Sequence, residues 1–264
     1  MDLHLGGKRA IVTGGSRGIG FAAAAALAAE GADVAIVARN QEALDDAAFR
    51  LTRHGHRVLP VVADTADDES VRAMVALVVE EFGGVDILVN AAAQPASPGA
   101  SGGVATTDDD VRREVETKVL GYLRCARAVA PHMVEQGWGR IVNVSGLAAR
   151  QTSSVAGSLR NVAVAALTKN LADELGPSGV NVTVVHPGIT VTERTPGVIA
   201  GMAAARGISE ADAEAALCAN VSIGRMVTAA EIGDVIAFLA SPRSVPITGD
   251  AVAVGGGAKG AIHY

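Results

Sequence analysis

Short apolar runs alternate along the chain with longer segments in which apolar residues recur at helical spacing. The apolar runs predict strands at residues 10–12, 34–37, 58–62, 87–89, 141–144, 180–185 and 251–254. Helical patterns fill the intervals, for example over 41–54, 71–82 and 163–175. Runs that are apolar at every position are typical of parallel strands buried on both faces. We therefore predict an α/β fold, a doubly wound parallel sheet of seven strands with helices on both faces.

The predicted elements leave no linker or repeat in the 264 residues, so we expect a single domain over 1–264. Open parallel sheets bind ligands beyond the carboxyl ends of their strands. Two long segments follow such ends, residues 94–107, rich in Pro, Ser, Gly and Ala, and residues 190–221, with helical pattern between turn residues. We expect the first to be mobile and the second to form a substrate lid.

Composition and charge exclude several classes of protein. The 49% hydrophobic content and the net charge of −6 exclude a disordered chain. The acidic balance argues against nucleic-acid binding, and no apolar run is long enough for a membrane span. The start of the chain lacks a secretory signal, and Cys125 and Cys218 stand alone, so we expect a cytoplasmic protein without a metal site.

The most informative motif is TGGSRGIG at residues 13–20, between the first strand and the first helix. Glycines at such a turn let the backbone approach a diphosphate, while the helix N-terminus offers free N–H groups and a positive dipole end. The motif therefore predicts a dinucleotide site. Its expected cofactor-binding residues are Gly14, Ser16, Arg17, Gly18, Ile19 and Gly20.

The spacing TGxxxGIG resembles that of the short-chain dehydrogenase/reductase family, and the resemblance runs through nearly the whole chain. It implies a Rossmann-like fold and oxidoreductase activity on a carbonyl or alcohol. It also implies that Asp64 lies near the adenine ring and that the segment from Pro187 closes over the nicotinamide. The motifs that carry it further are Asp64, Asn90-Ala91-Ala92, Pro187-Gly188 with Thr190 and Thr192, Ile223-Gly224-Arg225, Glu231-Ile232, and Ile247-Thr248-Gly249 with Gly255-Gly256-Gly257.

The end of the second strand bears on which dinucleotide binds. The family's acidic position there is Ala38, followed by Arg39. A carboxylate would repel a 2′-phosphate, whereas an arginine pairs with it, and Arg17 and Ser16 are expected within reach. The sequence favours NADP(H) as the cofactor. The alternatives are that NAD(H) binds instead, or that Arg39 faces solvent and does not contact the cofactor.

The catalytic residues that the resemblance implies are replaced. The family uses a Tyr as general acid/base, a Lys four positions later that lowers its pKa, a Ser, and an Asn on an earlier helix. Gly157 and Asn161 stand at the Tyr and Lys positions, and Lys118 stands at the Asn position. Gly146 occupies the usual serine position, so Ser145 serves only if the loop shifts by one residue.

Lys118 and Asn161 form an exchanged pair, because the two family positions lie near each other. We hypothesise that the amine has moved across the site, with Lys118 supplying charge or a proton donor, Asn161 bonding the nicotinamide ribose and Ser145 serving as the family serine. Such a lysine needs a lowered pKa to act near neutral pH. The alternative is that Lys118 faces solvent or an ion pair.

The two tyrosines of the chain, Tyr122 and Tyr264, lie outside the expected position. Tyr122 is expected to pack in the core. Tyr264 or His263 would act only if the C-terminus reached a neighbouring subunit, and His186 is more typical of a strand end.

Three functions therefore remain: a divergent NADP-dependent oxidoreductase, a silent dinucleotide-binding sensor or partner subunit, and a non-redox enzyme on the same scaffold. The expected partners are a small-molecule substrate and further copies of the chain in a dimer or tetramer.

Overall fold

Seven parallel strands form one sheet in the computed structural model, which describes residues 1–93 and 103–260. Two further short strands, β7 and β8, pair with each other outside this sheet. The order of the large sheet is β3-β2-β1-β4-β5-β6-β9, so the chain switches direction between β1 and β4. The strands are β1 (Arg9–Thr13), β2 (Asp33–Ala38), β3 (Val58–Val62), β4 (Ile87–Asn90), β5 (Gly139–Val144), β6 (Val180–Pro187), β7 (Thr190–Val191), β8 (Val227–Thr228) and β9 (Ala251–Val254).

Helices cover both faces of the sheet. One core contains side chains of α1, α2 and α9, and the other contains side chains of α3, α5 and α6. A π-helical segment, Val115–Leu120, connects α4 to α5. The helices are α1 (Gly18–Ala29), α2 (Gln41–Leu51), α3 (Asp68–Phe82), α4 (Asp108–Glu114), α5 (Gly121–Glu135), α6 (Val155–Leu175), α7 (Thr195–Arg206), α8 (Glu210–Cys218) and α9 (Ala229–Leu239).

The central strands are largely apolar because both of their faces are buried. In β1, Ala10 and Val12 belong to one core, and Ile11 belongs to the other. This is the alternation that a strand imposes on its side chains. The predicted seven-stranded, doubly wound parallel sheet is confirmed.

Helix starts were predicted less well than strands. The side chain of Asp67 accepts hydrogen bonds from the backbone of Glu69 and Ser70, so α3 begins at Asp68 rather than at residue 71. Ser154 caps α6 in the same way, which places its start at Val155 and not at residue 163. Residues 52–54 form a 3-10 turn instead of extending α2.

Two predictions lie outside the described residues. The expected mobility of 94–107 concerns mainly residues 94–102, and the possible roles of His263 and Tyr264 concern the last four residues. Across the described part of the chain, no helix combines the length and apolar character needed to cross a membrane.

Candidate active site

A cleft of about 1030 Å³ opens at the carboxyl ends of the strands beside the switch point. This is where an open α/β sheet is expected to bind a ligand. Its walls come from the glycine-rich turn, the ends of β2, β3 and β4, the π-helical segment and the chain after β7. The predicted site residues that line it are Gly14, Ser16, Arg17, Gly18, Ile19, Gly20, Arg39, Asp64, Ala91, Lys118 and Ser145.

The glycine-rich turn depends on the absence of side chains. A Cβ at Gly20 would lie 2.2 Å from the carbonyl oxygen of Gly14, and Gly14 itself has a φ of +68°. The N-cap residue of α1, Arg17, makes no capping hydrogen bond through its own side chain. The start of α1 therefore offers its N–H groups to an anion from another part of the chain or from a ligand, and the glycines let a diphosphate approach them closely.

A carboxylate that the sequence did not single out lies at this helix end. The backbone N–H of Gly18 donates to both carboxylate oxygens of Glu193, at 3.2 and 3.4 Å. Thr192, Glu193 and Arg194 line the cleft from the segment that leads into α7. A carboxylate is thus already held where the motif predicts a diphosphate, which agrees with the anion-binding character of the helix end.

The adenosine side of the cleft carries positive side chains without a carboxylate at the end of β2. Ala38 ends that strand, and Arg39 is exposed at the cleft wall together with Arg17. Asn40 caps α2 by accepting a hydrogen bond from the backbone N–H of Ala43 at 2.8 Å. The guanidinium groups of Arg39 and Arg17 suit a 2′-phosphate, although the carboxylates of Glu42 and Asp46 also line the cleft.

Asp64, the predicted adenine neighbour, also fixes its own turn. Its carboxylate accepts a hydrogen bond from the backbone N–H of Ala66 at 3.0 Å, and its backbone N–H donates to Ser70. The carboxylate therefore holds the chain between β3 and α3 at the cleft wall.

Four predicted cofactor residues, Asn90, Pro187, Gly188 and Thr190, are not among the residues that line the cleft. Asn90 is buried, and its amide nitrogen donates to Asn143 Oδ1 at 3.0 Å, which ties β4 to β5. The hydroxyl of Thr190 donates to the carbonyl of Gly188 at 3.0 Å and shapes the chain after β6. These contacts position the backbone around the cleft.

Lys118 and Asn161, the exchanged pair, contact each other. Lys118 lies in the π-helical segment, and only 4% of its surface is exposed. Its Nζ donates to the carbonyl oxygen of Ser145 at 2.8 Å and to Asn161 Oδ1 at 3.2 Å. The alternative of a solvent-facing Lys118 is therefore wrong. π-Helical turns inside α-helices are frequent at functional sites.

Burial lowers the pKa of Lys118 from its usual value to about 7. The main cause is loss of hydration, which disfavours the ammonium form. The nearby guanidinium of Arg160 lowers the pKa further, whereas the carboxylate of Glu114 raises it. At neutral pH the amine is therefore close to the midpoint between its two protonation states.

Ser145 lies at the cleft wall beside this amine, although its hydroxyl is already engaged. The hydroxyl donates to the carbonyl oxygen of Asn161 at 3.0 Å, and the residue is buried. A Cβ at the neighbouring Gly146 would lie 3.1 Å from the amide nitrogen of Asn161. The loop thus packs directly against Asn161.

Gly157, at the position where the family tyrosine is expected from the sequence, lies close to the cap of α6. A Cβ at this position would meet the hydroxyl of Ser154 at 2.7 Å. That hydroxyl accepts the backbone N–H of Gly157 at 3.1 Å and caps α6. A larger side chain here therefore has to displace the cap.

Tyr122 packs in the core, as predicted. Its hydroxyl donates to the carbonyl of Val144 at 2.9 Å, and burial raises its pKa above the usual value. A phenol in this state does not ionise near neutral pH. His186 is also buried, within β6.

Sequence reasoning also missed an ion pair beside the exchanged residues. Glu114, at the end of α4, pairs with Arg160 of α6, and each side chain is about 19% exposed. The two residues are 46 positions apart, and both lie in helices whose mutual packing the pattern does not reveal. No local signal in the sequence predicts this contact.

Comparisons with known proteins agree with the fold. A family model described as short chain dehydrogenase matches residues 8–203. The chain is 36% identical over 252 residues to cis-4-hydroxycyclohexanecarboxylate dehydrogenase of Sinomonas cyclohexanicum, a match that covers 94% of this chain and 95% of the relative.

Two solved structures extend this likeness to nearly the full length of the chain. L-sorbose reductase of Gluconobacter frateurii, complexed with NADPH and L-sorbose, has a TM-score of 0.92 at 30% identity and covers 99% of this chain and 100% of its own. NAD+-bound xylitol dehydrogenase has a TM-score of 0.87 at 28% identity and covers 96% and 100%.

Proposed function

The chain belongs to the short-chain dehydrogenase family, and we propose that it is an NADP(H)-dependent oxidoreductase in which Lys118 replaces the family tyrosine. The substrate is a small molecule with a carbonyl or alcohol group, which gains or loses a hydride at carbon. The observation that carries this proposal is the burial of Lys118 at the cleft wall, hydrogen-bonded to Asn161 and Ser145.

The residues of the cleft themselves support the binding of a dinucleotide. The glycine cradle and the carboxylate of Glu193 on the Gly18 N–H both mark an anion site at the start of α1. When bound, the cofactor supplies or accepts the hydride. We assign the diphosphate to the glycine-rich turn and the adenosine end to Arg39 and Asp64. Arg39 and Arg17 favour a 2′-phosphate, and NAD(H) is the alternative cofactor.

Lys118 has the hydrogen-bonding capacity that a proton donor needs. As an ammonium it has three N–H donors, two of which go to Ser145 and Asn161, so the third remains for a substrate oxygen. As an amine it has two N–H donors for the same partners, and its lone pair accepts the proton of an alcohol. A pKa of about 7 makes both directions accessible at neutral pH.

Substitution of Lys118 tests this proposal directly. NADPH oxidation is measured against a panel of ketones and aldehydes for the wild type, Lys118→Met and Lys169→Met. Lys169 is 60% exposed and outside the cleft lining, so its substitution is the matched control. We expect Lys118→Met to lower kcat by about 10²-fold or more, the usual contribution of a general acid, with cofactor affinity within about 3-fold of the wild type.

Two outcomes would overturn the assignment. Equal turnover of Lys118→Met and the wild type would mean that another group handles the proton. Tight NADPH binding by the wild type without turnover across the panel would favour the second candidate, a silent cofactor-binding sensor or partner subunit. The observation that supports this second candidate is the glycine at position 157, which has no acid/base group where the family tyrosine is expected.

We also propose that the segment 190–221 is the substrate lid. It forms β7, α7 and α8, and the last two helices bury few of their side chains, among them Ala203 and Ala213. Glu193 connects the base of this segment to the glycine-rich turn. Motion of the lid is thereby linked to the diphosphate end of the cleft.

The outer face of α6 supports assembly into a dimer or tetramer. Val155, Leu159 and Val162 are 40%, 51% and 51% exposed, at spacings of four and three residues along one side of the helix. The opposite side, with Ala156, Asn161 and others, is buried in the protein. A helix that is apolar on both sides is usually buried on both sides. We assign the outer face to a second copy of the chain.

A cytoplasmic location agrees with the two cysteines. Both Cys125 and Cys218 are free thiols, and burial raises the pKa of Cys125 to about 12, so it is unreactive. A reducing compartment is where unpaired thiols are normally kept.

A further inference from the structure

Glu114 and Arg160 form an ion pair next to the contact between Lys118 and Asn161. Glu114 is the last residue of α4 and lies four positions before Lys118, whereas Arg160 directly precedes Asn161 in α6. The same two segments are thus joined at two neighbouring points, once by opposite charges and once by the amine and the amide.

The ion pair is placed where it fixes the direction of Lys118. The helix changes from α to π geometry at Val115, immediately after Glu114. A π-helical segment changes which side of the helix each following residue faces. A side chain that anchors the last α-helical residue to α6 therefore determines whether Lys118 reaches Asn161.

We propose that Glu114 and Arg160 are positioning residues for Lys118, which hold the π-helical segment against α6 and place two opposite charges beside the amine. This inference rests on the proposed role of Lys118. Glu114 and Arg160 themselves lie outside the lining of the cleft, so they act on the substrate through Lys118 and not by contact.

The charges that act on Lys118 come from two of the elements packed around it. α6 contributes Arg160, and α4 contributes Glu114. On the side of α5, Tyr122 is neutral because burial raises its pKa, and after β5 the contact is the neutral carbonyl of Ser145. Arg160 has the larger effect of the two charged groups.

Opposite shifts are therefore expected when the two charges are removed one at a time. In Glu114→Gln, Arg160 is left unopposed and disfavours the ammonium, so the pKa of Lys118 falls. In Arg160→Gln, Glu114 is left unopposed and favours the ammonium, so the pKa rises. Each shift is expected to be about one pH unit.

The measurement is an NMR titration of the Cε signals in protein labelled with ¹³C-lysine, without cofactor or substrate. The other lysines are Lys8, Lys169 and Lys259, and the Lys118→Met spectrum identifies the signal of Lys118. Asp108→Asn is the matched control, because Asp108 lies on the same helix in an exposed pair with Arg112. It is expected to leave the pKa of Lys118 unchanged.

A charge exchange, Glu114→Arg with Arg160→Glu, separates the electrostatic role from a purely structural one. The exchange keeps an ion pair between the helices, so the thermal midpoint should recover relative to the single variants. Because position 160 has the stronger effect, the carboxylate there should raise the pKa of Lys118 above its wild-type value.

The pH profile of kcat should then follow the NMR value in each variant. The inference is overturned if the single variants shift the pKa of Lys118 in the same direction or leave it within about 0.2 units of the wild type. The proposed function fails separately, if Lys118→Met retains its turnover. The titration does not require turnover, so the two failures are distinguishable.

Discussion

Lys118 has an amine at the end of a side chain that is almost fully buried, since only 4% of the residue's surface is exposed. Removing a charge from water is expensive, and its two hydrogen-bond partners are neutral oxygens. The site therefore stabilises the neutral amine relative to the ammonium. A lowered pKa is useful for proton transfer, but it is unfavourable for folding at every pH below the usual lysine value of 10.5.

We expect the free energy of unfolding of the protein to depend on pH because of this buried amine. The folded-state pKa of Lys118, about 7, lies below the ordinary lysine value of 10.5, so between these values the unfolded chain binds more protons than the folded one. Stability contributed at this site consequently rises with pH over that window and is lowest below pH 7. Within this window, the free energy of unfolding rises by about 1 kcal/mol for each pH unit because of this lysine.

Lys118→Met isolates this effect. From pH 7.5 to pH 9.5, we expect the wild type to gain about 2 kcal/mol in the free energy of unfolding relative to Lys118→Met. Urea unfolding at several pH values measures the difference, with Lys169→Met as the control for the loss of an exposed lysine. Parallel pH profiles for the wild type and Lys118→Met would contradict the lowered pKa.

Arg39 provides the second test at the scale of one residue. In Arg39→Asp the carboxylate repels a 2′-phosphate and accepts hydrogen bonds from an unmodified ribose, so the preference should move from NADP(H) to NAD(H). The loss of one charge-assisted interaction corresponds to about 10- to 100-fold in NADPH affinity. Fluorescence titration with NADPH and NADH gives the ratio.

Arg72→Asp is the control for Arg39→Asp, because Arg72 is 69% exposed on α3 and outside the cleft lining. It introduces the same change in net charge away from the adenosine end. An unchanged ratio of NADPH to NADH affinity in Arg39→Asp would count against the assignment of the 2′-phosphate to this arginine.

At the scale of elements, the strands were predicted well because burial on both faces leaves a continuous apolar run. Helix starts were predicted less well because they depend on single caps such as Asp67 and Ser154. The nearness of Lys118 to Asn161 followed from family positions. The contact of Glu193 with Gly18 and the ion pair of Glu114 with Arg160 depend on how separate elements pack against each other. The local sequence does not encode that packing.

The segment between β7 and α7 gives a test at this scale. Glu193 accepts the Gly18 N–H where a diphosphate is expected, and two anions cannot share one donor without repulsion. Glu193→Gln should therefore raise cofactor affinity by about 2- to 5-fold, the usual magnitude for an exposed charge at a helix N-terminus. Isothermal titration with NADPH measures it.

Glu210→Gln serves as the control for Glu193→Gln. Glu210 begins α8 in the same segment but does not line the cleft. Weaker NADPH binding by Glu193→Gln would show that the carboxylate holds the glycine-rich turn in its binding conformation rather than competing with the diphosphate.

At the scale of the whole molecule, α6 connects the site to the surface of the protein. Its inner side carries Asn161, and its outer side carries the exposed residues Val155, Leu159 and Val162. A second copy packed on the outer side would restrict the helix that holds Asn161 against Lys118. Assembly and the geometry of the site are therefore expected to be coupled through this one helix.

Charges on the outer side of α6 should break the assembly. We expect the wild type to have at least twice the chain mass of 26.5 kDa by light scattering, and Leu159→Glu with Val162→Glu to have the mass of one chain. Two carboxylates buried in an apolar interface lose their hydration without gaining partners. Leu77→Glu, at a 39% exposed leucine of α3, is the control and should keep the wild-type mass. Unchanged mass in the double variant, with an unchanged circular dichroism spectrum, would place the interface elsewhere.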